Sequence, residues 1–487
     1  MLKAIKFRIE EIEVAALATG EGEVIPEGIV LSPGSVRLLH PLVDQSVYRH
    51  GWHSWSFTSW LEGKTFGFPS IPKGIWPMVD HPGCFETSLI RSSGLAAVGD
   101  IEGKSLLFGA LGPGGWIEVS DGYLEGNYDG VPAPWLIAYG ETSEVFHRYA
   151  RILQHHLAIP QLGEKQTPRV WCSWYSFLHN IDEGLLLRVV EGLRGLPIDV
   201  VQIDDGWEAN IGDWEPNERF PRGLRFLAET ISQAGFIPGI WVAPFIARSN
   251  SEIVRKHPDW VLRDEGGEPV IAGVNWGGPF YALDVSNEAV LNWLELLLGR
   301  LRSWGFSYLK LDFLYGGALP GQCSSPEVCY RIALGRLRHA WGDGYLLTCG
   351  APVMASLGLC DGLRIGPDSS PFWSNNSGHF TAPGARNAIA TSSSRLWLKP
   401  LVHTDPDVVF FRSRYNLLSD KQRQLLLDLA AVAGFKATSD PPEWLDAQEL
   451  HALQEFFSHP ESVNQRGFYR FEVNGRMVDF RSISQNK

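Results

Sequence analysis

The sequence lacks several features that would assign it to whole classes of protein. Its 487 residues contain no uninterrupted run of about 18 apolar residues, so no membrane-spanning helix is predicted. Lys and Arg number 42 against 55 Asp and Glu, which gives a formal net charge of −13. The longest basic cluster is Arg-Gly-Leu-Arg at 222–225. Because nucleic-acid phosphates are bound by clustered Lys and Arg, a nucleic-acid partner is not expected.

Cysteine is also scarce, with six residues at positions 84, 172, 323, 329, 349 and 360. The first ten residues alternate charged and apolar side chains without an apolar core, so they predict a strand and not a secretion signal. We therefore expect free thiols and a cytoplasmic location, with no membrane partner. A metal site at Cys323 and Cys329 is disfavoured because no second ligand pair follows at zinc-site spacing.

Tryptophan, in contrast, is abundant: 19 residues beside 25 Phe and 13 Tyr. Flat rings with a polar edge suit the C–H faces and hydroxyl groups of sugars. Large barrels and sandwiches also bury many aromatic residues, so a single Trp is more often part of a core than of a site. The aromatic content is thus consistent with a sugar ligand without being specific for one.

The chain divides by sequence texture into three parts. Residues 1–165 contain short β-type runs separated by Gly, Pro, Asp and Asn, which predicts an N-terminal β-sandwich ending in a helix near residues 144–155. Residues 166–445 alternate apolar runs with helical periods, which predicts a (β/α)₈ TIM barrel. Residues 446–487 predict a short C-terminal β-domain.

Eight apolar runs are the candidate barrel strands. They lie at residues 170–177, 200–203, 237–245, 308–314, 345–349, 363–365, 395–402 and about 430–437. The active sites of such barrels lie at the carboxyl ends of the strands, where this sequence places mainly carboxylates and aromatic side chains. Such residues suit a neutral, polyhydroxylated ligand, because acids accept hydroxyl protons and rings cover C–H faces.

Asp312 is the candidate nucleophile. Residues 308–313 alternate in period two, so Lys310 and Asp312 share one face, which we expect to point into the barrel mouth. A nearby ammonium favours the ionised carboxylate that a glycosidic nucleophile requires. A purely structural ion pair is the alternative, but burying it at a strand end without a function would incur a desolvation penalty.

Asp368 is the candidate acid/base, since glycoside hydrolysis needs a second carboxyl group that can be protonated. It ends a later strand and follows Pro367, whose fixed φ stiffens the turn. Arg364 could bind a sugar hydroxyl or steady Asp312. An Arg beside Asp368 would lower the pKa of that acid, so we expect Arg364 to point elsewhere.

Two further pairs of acids end barrel strands. Asp204 and Asp205 could bind Mg²⁺ or clamp two neighbouring sugar hydroxyls; the clamp is favoured because metal-type histidines are missing and Trp207 is adjacent. Asp405 and Asp407 suit a turn or cap role as well as a ligand role.

Six motifs are spread over most of the chain: Gly51-Trp52-His53-Ser54-Trp55-Ser56, Trp174-Tyr175, Asp204-Asp205-Gly206-Trp207, Gly239-Ile240-Trp241, Lys310-Leu311-Asp312-Phe313 and Arg364-Ile365-Gly366-Pro367-Asp368. In this order and spacing the chain resembles glycoside hydrolase family 36, the bacterial α-galactosidases of clan D. The resemblance implies an exo-acting α-galactosidase that hydrolyses terminal α-linked galactose, from melibiose or raffinose for example, with retention and without cofactor or metal.

The resemblance also implies a role for each motif residue. Asp312 would be the nucleophile and Asp368 the acid/base. Asp204 and Asp205 would bind the 4- and 6-hydroxyls of galactose. The remaining substrate-binding residues would be Lys310 and Arg364 on ring hydroxyls, Trp241, Trp174, Tyr175 and Cys349 around the pocket, and Trp55, or Trp52 in its place, from the N-terminal domain.

The sequence departs from the family pattern at residues 348–352, which lack the Cys- and Gly-rich segment ending in Arg, and in its short tail. It is closer to a subgroup of smaller subunits, which leaves open the size of any homo-oligomer. Rival functions are an α-N-acetylgalactosaminidase, an α-galactosyl transferase, and a metal-dependent lyase or isomerase with Asp204, Asp205 and Asp312 as ligands. An inactive sugar-binding protein is disfavoured because Asp312 and Asp368 are both present.

Overall fold

Two antiparallel sheets form most of the first 141 residues in the computed structural model, which describes residues 3–18, 20–63, 66–162, 166–321, 323–375 and 379–484. Apolar side chains from both sheets pack into one hydrophobic cluster, with Val14 and Leu38 from the first sheet and Val98 and Ile137 from the second. In spatial order, the first sheet contains Lys3–Ile9, Ile12–Ala18, Val36–Leu39, Tyr123–Tyr128, Gly115–Ser120 and Ile90–Ser93, and the second contains Gly22–Ile25, Gly28–Leu31, Trp135–Glu141, Lys104–Ala110, Leu95–Gly99, Ser46–Arg49 and Ser59–Leu61.

The helix Thr142–His156 connects these sheets to the following part of the chain, close to the predicted position. Its apolar face is buried, and the Tyr149 hydroxyl donates to the carbonyl of Ala110 at 2.6 Å. The Tyr149 ring also contacts Trp397, a residue of the barrel region, at 5.6 Å between centroids. The helix therefore packs on both parts of the chain.

Eight parallel strands form the sheet of the second part of the fold: Val170–Cys172, Val200–Ile203, Ile237–Val242, Tyr308–Leu311, Tyr345–Thr348, Gly362–Arg364, His403–Asp405 and Ala437–Thr438. Each of the first six strands pairs with the next in the chain, and the first strand also pairs with the eighth. Val409 lies just after the seventh strand, and a parallel bridge from Val409 to Thr438 joins this segment to the eighth strand. This arrangement fits the predicted (β/α)₈ barrel.

Amphipathic helices cover the outside of these strands, which explains why the strands are buried on both faces. They are Glu183–Leu193, Gly223–Gln233, Glu288–Ser303, Pro326–Trp341, Ala385–Ser394 and Asp420–Ala433. Shorter helices lie at Trp76–Val79 in the N-terminal region and, in segments between barrel strands, at Trp174–Phe177, Glu252–Lys256 and Val353–Ser356. Two β-insertions follow the second and third barrel strands: the hairpin Glu208–Asn210 and Asp213–Pro216, and the sheet of Ile246–Arg248, Ile271–Asn275 and Gly278–Ala282.

The last two predicted barrel strands are wrong. Residues 395–402 follow the helix Ala385–Ser394 and contain the 3₁₀ turn Leu396–Leu398, and the strand itself is His403–Asp405. Most of residues 430–437 belong to the helix Asp420–Ala433 or to its end, and the strand is only Ala437–Thr438. Both apolar runs are buried in the structure, and an apolar run alone does not distinguish a buried strand from a buried helix.

The chain after residue 446 contains the helix Ala447–Ser458, the antiparallel strands Val463–Gln465, Arg470–Val473 and Arg476–Asp479, and the short helix Arg481–Ser484. Cys323 and Cys329 form a disulfide, so the expectation of free thiols is wrong for this pair. The two cysteines are six residues apart in the sequence, so the disulfide ties the segment before the helix Pro326–Trp341 to the first turn of that helix. Of the described helices, none is long and apolar enough to cross a bilayer.

Candidate active site

A pocket of about 470 Å³ opens at the carboxyl ends of the barrel strands. This volume is within the range usual for small-ligand sites. Among the predicted site residues, those that line it are Trp55, Trp174, Asp204, Asp205, Trp241, Lys310, Asp312 and Asp368. The other lining residues come from the N-terminal region, the insertion after the third strand, the end of the fourth strand and the loop after the sixth: Ile75, Met78, Val79, Val274, Asn275, Trp276, Phe313, His379, Thr381, Ala382 and Pro383.

Asp312 follows the fourth strand, with a buried side chain that three donors approach. The indole N–H of Trp241 donates to Oδ2 at 3.0 Å, and the Lys310 ammonium lies 3.6 Å from the same oxygen. The backbone N–H of Phe313 donates to Oδ1 at 2.8 Å. Donors and a positive charge stabilise the ionised form of a carboxylate, so this environment suits a nucleophile.

Lys310 links Asp312 to Asp204. Its ammonium donates to Oδ2 of Asp204 at 2.9 Å, and Gln202 donates to that oxygen at 2.5 Å. Burial disfavours the charge, but the carboxylates of Asp204 and Asp312 raise the pKa of Lys310 well above its usual value. The shared face of Lys310 and Asp312 thus produces a charged row, Asp204–Lys310–Asp312, across the base of the pocket.

Asp368 follows the sixth strand, and its side chain is 29% exposed. Oδ1 accepts a hydrogen bond from the Tyr175 hydroxyl at 3.1 Å and from the Arg364 guanidinium at 3.2 Å. The expectation that Arg364 points away from Asp368 is therefore wrong. Burial nevertheless raises the pKa of Asp368 above its usual value, with the charge of Asp312 adding to the rise and Arg364 opposing it.

The charge of Arg364 is divided among three acids, so Asp368 shares that charge with two other carboxyl groups. Besides Asp368, the guanidinium lies 2.9 Å from Oδ2 of Asp405 and 3.0 Å from Oδ1 of Asp407. Asp405 and Asp407 also make backbone contacts: Asp405 accepts from the N–H of Asp407, and Asp407 accepts from the N–H of Ser369, both at 2.8 Å. The two acids thus combine a turn role with a charge-balancing role.

Asp205, which follows Asp204 in the sequence, contacts two residues that were not predicted from the sequence. The Trp276 indole N–H donates to Oδ2 at 2.8 Å. Glu208, which is buried, shares a side-chain hydrogen bond with Asp205. Burial and the neighbouring Asp205 raise the pKa of Glu208 well above its usual value. The proximity of Glu208 to Asp205 in the sequence was the only feature that could have predicted this contact.

Trp55, and not Trp52, lines the pocket. The Trp55 ring packs on Phe313 at 5.0 Å between centroids, and its N–H has no hydrogen-bond partner within the described part of the chain. Trp52 is 2% exposed and donates to Glu327 at 2.8 Å, away from the pocket. Gly350 has a φ of +54° and permits the close approach of Trp55, because a Cβ there would lie 3.1 Å from the indole.

One buried guanidinium fixes the loop that carries Trp55. Arg395, which is fully buried, donates to the carbonyl groups of Gly51, His53, Ser54, Ser56 and Ile365. Its acceptors therefore belong both to the N-terminal loop and to the segment after the sixth barrel strand. This contact holds the loop against the barrel mouth.

Tyr175, Arg364 and Cys349 lie behind the pocket surface and do not line it. Tyr175 and Arg364 support Asp368, as described above. Cys349 is fully buried, and burial raises the pKa of its thiol well above the usual value. Within the described residues, no group of three or more His, Cys, Asp and Glu side chains has an arrangement that could hold a metal ion.

A pocket lined by carboxylates and tryptophans at the mouth of a (β/α)₈ barrel defines a carbohydrate-active barrel enzyme. The Melibiase family model matches residues 132–317. An α-galactosidase structure from Thermus thermophilus, with bound p-nitrophenyl α-D-galactopyranoside, is 45% identical, with a TM-score of 0.94 over 99% of this chain and 100% of that one. The chain belongs to glycoside hydrolase family 36, the α-galactosidases, which confirms the resemblance.

More distant relatives match only in part. The curated sequence of α-galactosidase AgaA from Geobacillus stearothermophilus is 28% identical over 211 residues, which are 39% of this chain and 27% of that protein. A crystal structure of AgaA aligns over 92% of this chain and 67% of its own, with 17% identity and a TM-score of 0.61. At that identity the likeness supports the fold alone.

Proposed function

We propose that the protein is a retaining exo-α-galactosidase that releases terminal α-linked galactose from galacto-oligosaccharides such as melibiose and raffinose. The observation that carries the proposal is the contrast between two acids in one pocket. Asp312 receives three donors, including an ammonium, whereas burial raises the pKa of Asp368. Retaining hydrolysis requires such a pair, one carboxylate ionised and the other protonated.

In the first step, the Asp312 carboxylate attacks the anomeric carbon of galactose and forms a covalent galactosyl ester. The glycosidic C–O bond breaks, and its electron pair goes to the departing oxygen. Asp368 transfers its proton to that oxygen, so the aglycone leaves as a neutral alcohol. Positive charge that develops on the sugar ring is stabilised by the neighbouring carboxylates of the pocket.

In the second step, water replaces the ester. Formation of the ester removes the negative charge of Asp312, which had contributed to raising the pKa of Asp368. Asp368, now ionised, takes a proton from the attacking water, and the C–O bond to Asp312 breaks. Galactose leaves with the anomeric configuration of the substrate, and both acids return to their starting protonation states.

The row Asp204–Lys310–Asp312 and the neighbouring Asp205 supply the acceptors and the donor for sugar hydroxyls. We assign Asp204 and Asp205 to the 4- and 6-hydroxyls and Lys310 to a ring hydroxyl. Trp174, Trp241 and Trp55 supply flat surfaces, and the N–H of Trp55, which has no partner among the described residues, can donate to the ligand. Arg364, Tyr175 and Cys349 act from behind the pocket, with Arg364 and Tyr175 holding Asp368.

The domain division proposed for the chain is an N-terminal β-sandwich at 1–165, a catalytic barrel at 166–445 and a short C-terminal β-domain at 446–487. The shared hydrophobic cluster of the two N-terminal sheets supports the first division. The three-stranded antiparallel sheet near the end of the chain supports the last. In this proposal the N-terminal domain contributes Trp55, Ile75 and Met78 to the pocket.

Relatives and geometry favour this function over its rivals. Solved structures of the Thermus thermophilus α-galactosidase include complexes with stachyose and with the nitrophenyl galactoside, which supports α-galactosides as substrates here. In a metal-dependent lyase, Asp204 and Asp312 would converge on a cation. Here the Lys310 ammonium occupies the space between these two acids, 2.9 Å from one and 3.6 Å from the other.

The proposal is tested with a panel of nitrophenyl α- and β-glycosides, assayed with and without a chelator. We expect cleavage of the α-galactoside in preference to the α-N-acetylgalactosaminide, the α-glucoside and the β-galactoside, with no effect of the chelator. Preference for the N-acetylated sugar, or activity that the chelator abolishes, would contradict the proposal. An acceptor sugar added to the same assay measures transfer against hydrolysis.

A further inference from the structure

The tip of a hairpin at the pocket carries a tryptophan in an unusual backbone conformation. Trp276 and Gly277 connect the strands Ile271–Asn275 and Gly278–Ala282, with φ values of +51° and +79°. A two-residue turn with two positive φ values favours Asn-Gly, and a bulky residue at the first position is uncommon. Such strain persists only where the surrounding contacts require the residue, and it is concentrated at functional sites.

The contacts of Trp276 connect this hairpin to both sides of the pocket floor. Its N–H donates to Oδ2 of Asp205 at 2.8 Å. Its ring packs against Phe280 at 5.4 Å and against Phe313 at 5.1 Å between centroids. Phe313 directly follows Asp312, so the ring fills the space between the end of the fourth strand and Asp205.

Asp205 depends on such contacts because it is almost fully buried. Burial raises its pKa above the usual value, whereas the hydrogen bonds of Glu208 and Trp276 stabilise its ionised form. An indole N–H can donate but not accept, so it fixes one oxygen of the carboxylate as an acceptor. A carboxylate has about four acceptor positions, so the two partners leave others open to a ligand hydroxyl.

We propose that Trp276 is a positioning residue that holds the Asp205 carboxylate in the orientation that accepts a substrate hydroxyl, while its ring closes the pocket wall beside it. The proposal rests on the proposed function, in which Asp205 binds a galactose hydroxyl. It explains why a bulky residue is retained at a turn position where a small one fits better. Trp276 makes no bond to the reacting atoms and acts through Asp205.

The central variant is Trp276→Phe, which keeps an aromatic ring and removes the N–H. Loss of a hydrogen bond to a charged group should raise KM for p-nitrophenyl α-galactoside about 10-fold, with a smaller change in kcat. Because the N–H stabilises the anion, its loss should raise the pKa of Asp205 and move the acidic limb of 1/KM to higher pH. A residue that only packs the hairpin would not shift this limb.

Two controls separate positioning from general damage. Ile271→Ala alters the same hairpin at an exposed residue outside the pocket and should leave KM and the pH profile unchanged. In an Asp205→Asn background, Trp276→Phe should raise KM by a smaller factor, because the neutral amide oxygen of Asn accepts a weaker hydrogen bond from the indole than the carboxylate does. The proposal would be overturned if Trp276→Phe raised KM by the same factor in the Asp205→Asn background as in the wild type. It would also be overturned if Trp276→Phe alone changed neither KM nor the acidic limb of the 1/KM profile.

A measurement without substrate distinguishes failure of this proposal from failure of the proposed function. In ¹H–¹⁵N spectra, the indole resonance that disappears in Trp276→Phe should shift on acid titration, and it should move upfield in Asp205→Asn. If that resonance behaves as expected but no α-galactoside is cleaved, the proposed function is wrong and the positioning contact stands. A resonance insensitive to both changes would contradict the contact itself.

Discussion

The indole N–H of Trp241 donates to Oδ2 of Asp312 at 3.0 Å, so the third barrel strand orients the proposed nucleophile, which follows the fourth strand. Lys310 lies 3.6 Å from the same oxygen, and the N–H of Phe313 donates to the other oxygen at 2.8 Å. Each donor lies on rigid barrel backbone or directly beside it. The carboxylate is therefore preorganised for attack before substrate binds.

Asp312→Ala should abolish hydrolysis of melibiose and raffinose, because no group remains to form the covalent ester. Added azide should restore cleavage of an activated nitrophenyl α-galactoside by entering the space that the carboxylate vacates. The product should be the β-galactosyl azide, since attack comes from the face opposite the leaving group. NMR of the azide product checks this, and formation of the α-azide would argue against retention.

Asp368→Ala should separate substrates by leaving group. General acid catalysis contributes about 10²–10⁴-fold where the departing oxygen is basic, so melibiose cleavage should fall by such a factor. A nitrophenolate departs without a proton, so its release should show a rapid burst followed by a slow steady state limited by the second step. Stopped-flow absorbance measures the burst. Equal slowing of both substrates without a burst would place the acid/base elsewhere, with Asp205 as the first alternative.

Tyr175→Phe should move the basic limb of the kcat/KM profile to higher pH. The Tyr175 hydroxyl donates to Asp368 at 3.1 Å and so stabilises the ionised acid. Its removal raises the pKa of Asp368 further. The general acid acts when it is protonated, so activity is lost as the pH rises through that pKa. In Tyr175→Phe this loss should therefore occur at a higher pH than in the wild type. A shift of this limb to lower pH would contradict the assigned contact.

Trp55→Ala should weaken galactoside binding without unfolding the protein. Aromatic contacts contribute about 0.5–1.5 kcal/mol beyond their buried area, so KM should rise several-fold. The matched variant Trp52→Phe removes the buried donor to Glu327 and should lower stability by about 1–3 kcal/mol with little change in KM. Thermal unfolding and steady-state kinetics on both variants test the contrast. An unchanged KM in Trp55→Ala would leave the loop with a structural role only.

The sequence predicts the barrel and much of the pocket because strands there are apolar runs with polar ends. Period-two alternation over residues 308–313 indicates the shared face of Lys310 and Asp312 without any tertiary information. The seventh and eighth strands have only three and two residues, and the buried turn and helix before them give longer apolar runs, so the sequence pattern favours those neighbouring segments.

The remaining parts of the site depend on tertiary contacts that cannot be predicted from the local sequence pattern. Trp276 reaches Asp205 from a hairpin 71 positions away in the sequence. Arg364 contacts Asp368 because Asp405 and Asp407, 41 and 43 positions further along, share its charge. Arg364 does lower the pKa of Asp368, as a neighbouring Arg is expected to do, but burial raises that pKa by more. Neither this burial nor the two additional carboxylates beside Arg364 can be read from the sequence.

The central claim is that Asp312 forms a covalent bond to the galactosyl group, and trapping that ester tests it most directly. An activated 2,2-difluoro α-galactoside should label the wild-type enzyme. The fluorines slow both ester formation and ester hydrolysis, whereas a good leaving group keeps ester formation fast enough for the ester to accumulate. After proteolysis, mass spectrometry should place the difluorogalactosyl group on Asp312, and Asp312→Ala should remain unlabelled. Labelling of another residue, Asp205 or Asp368 for example, or turnover that yields β-galactose first, would contradict the account.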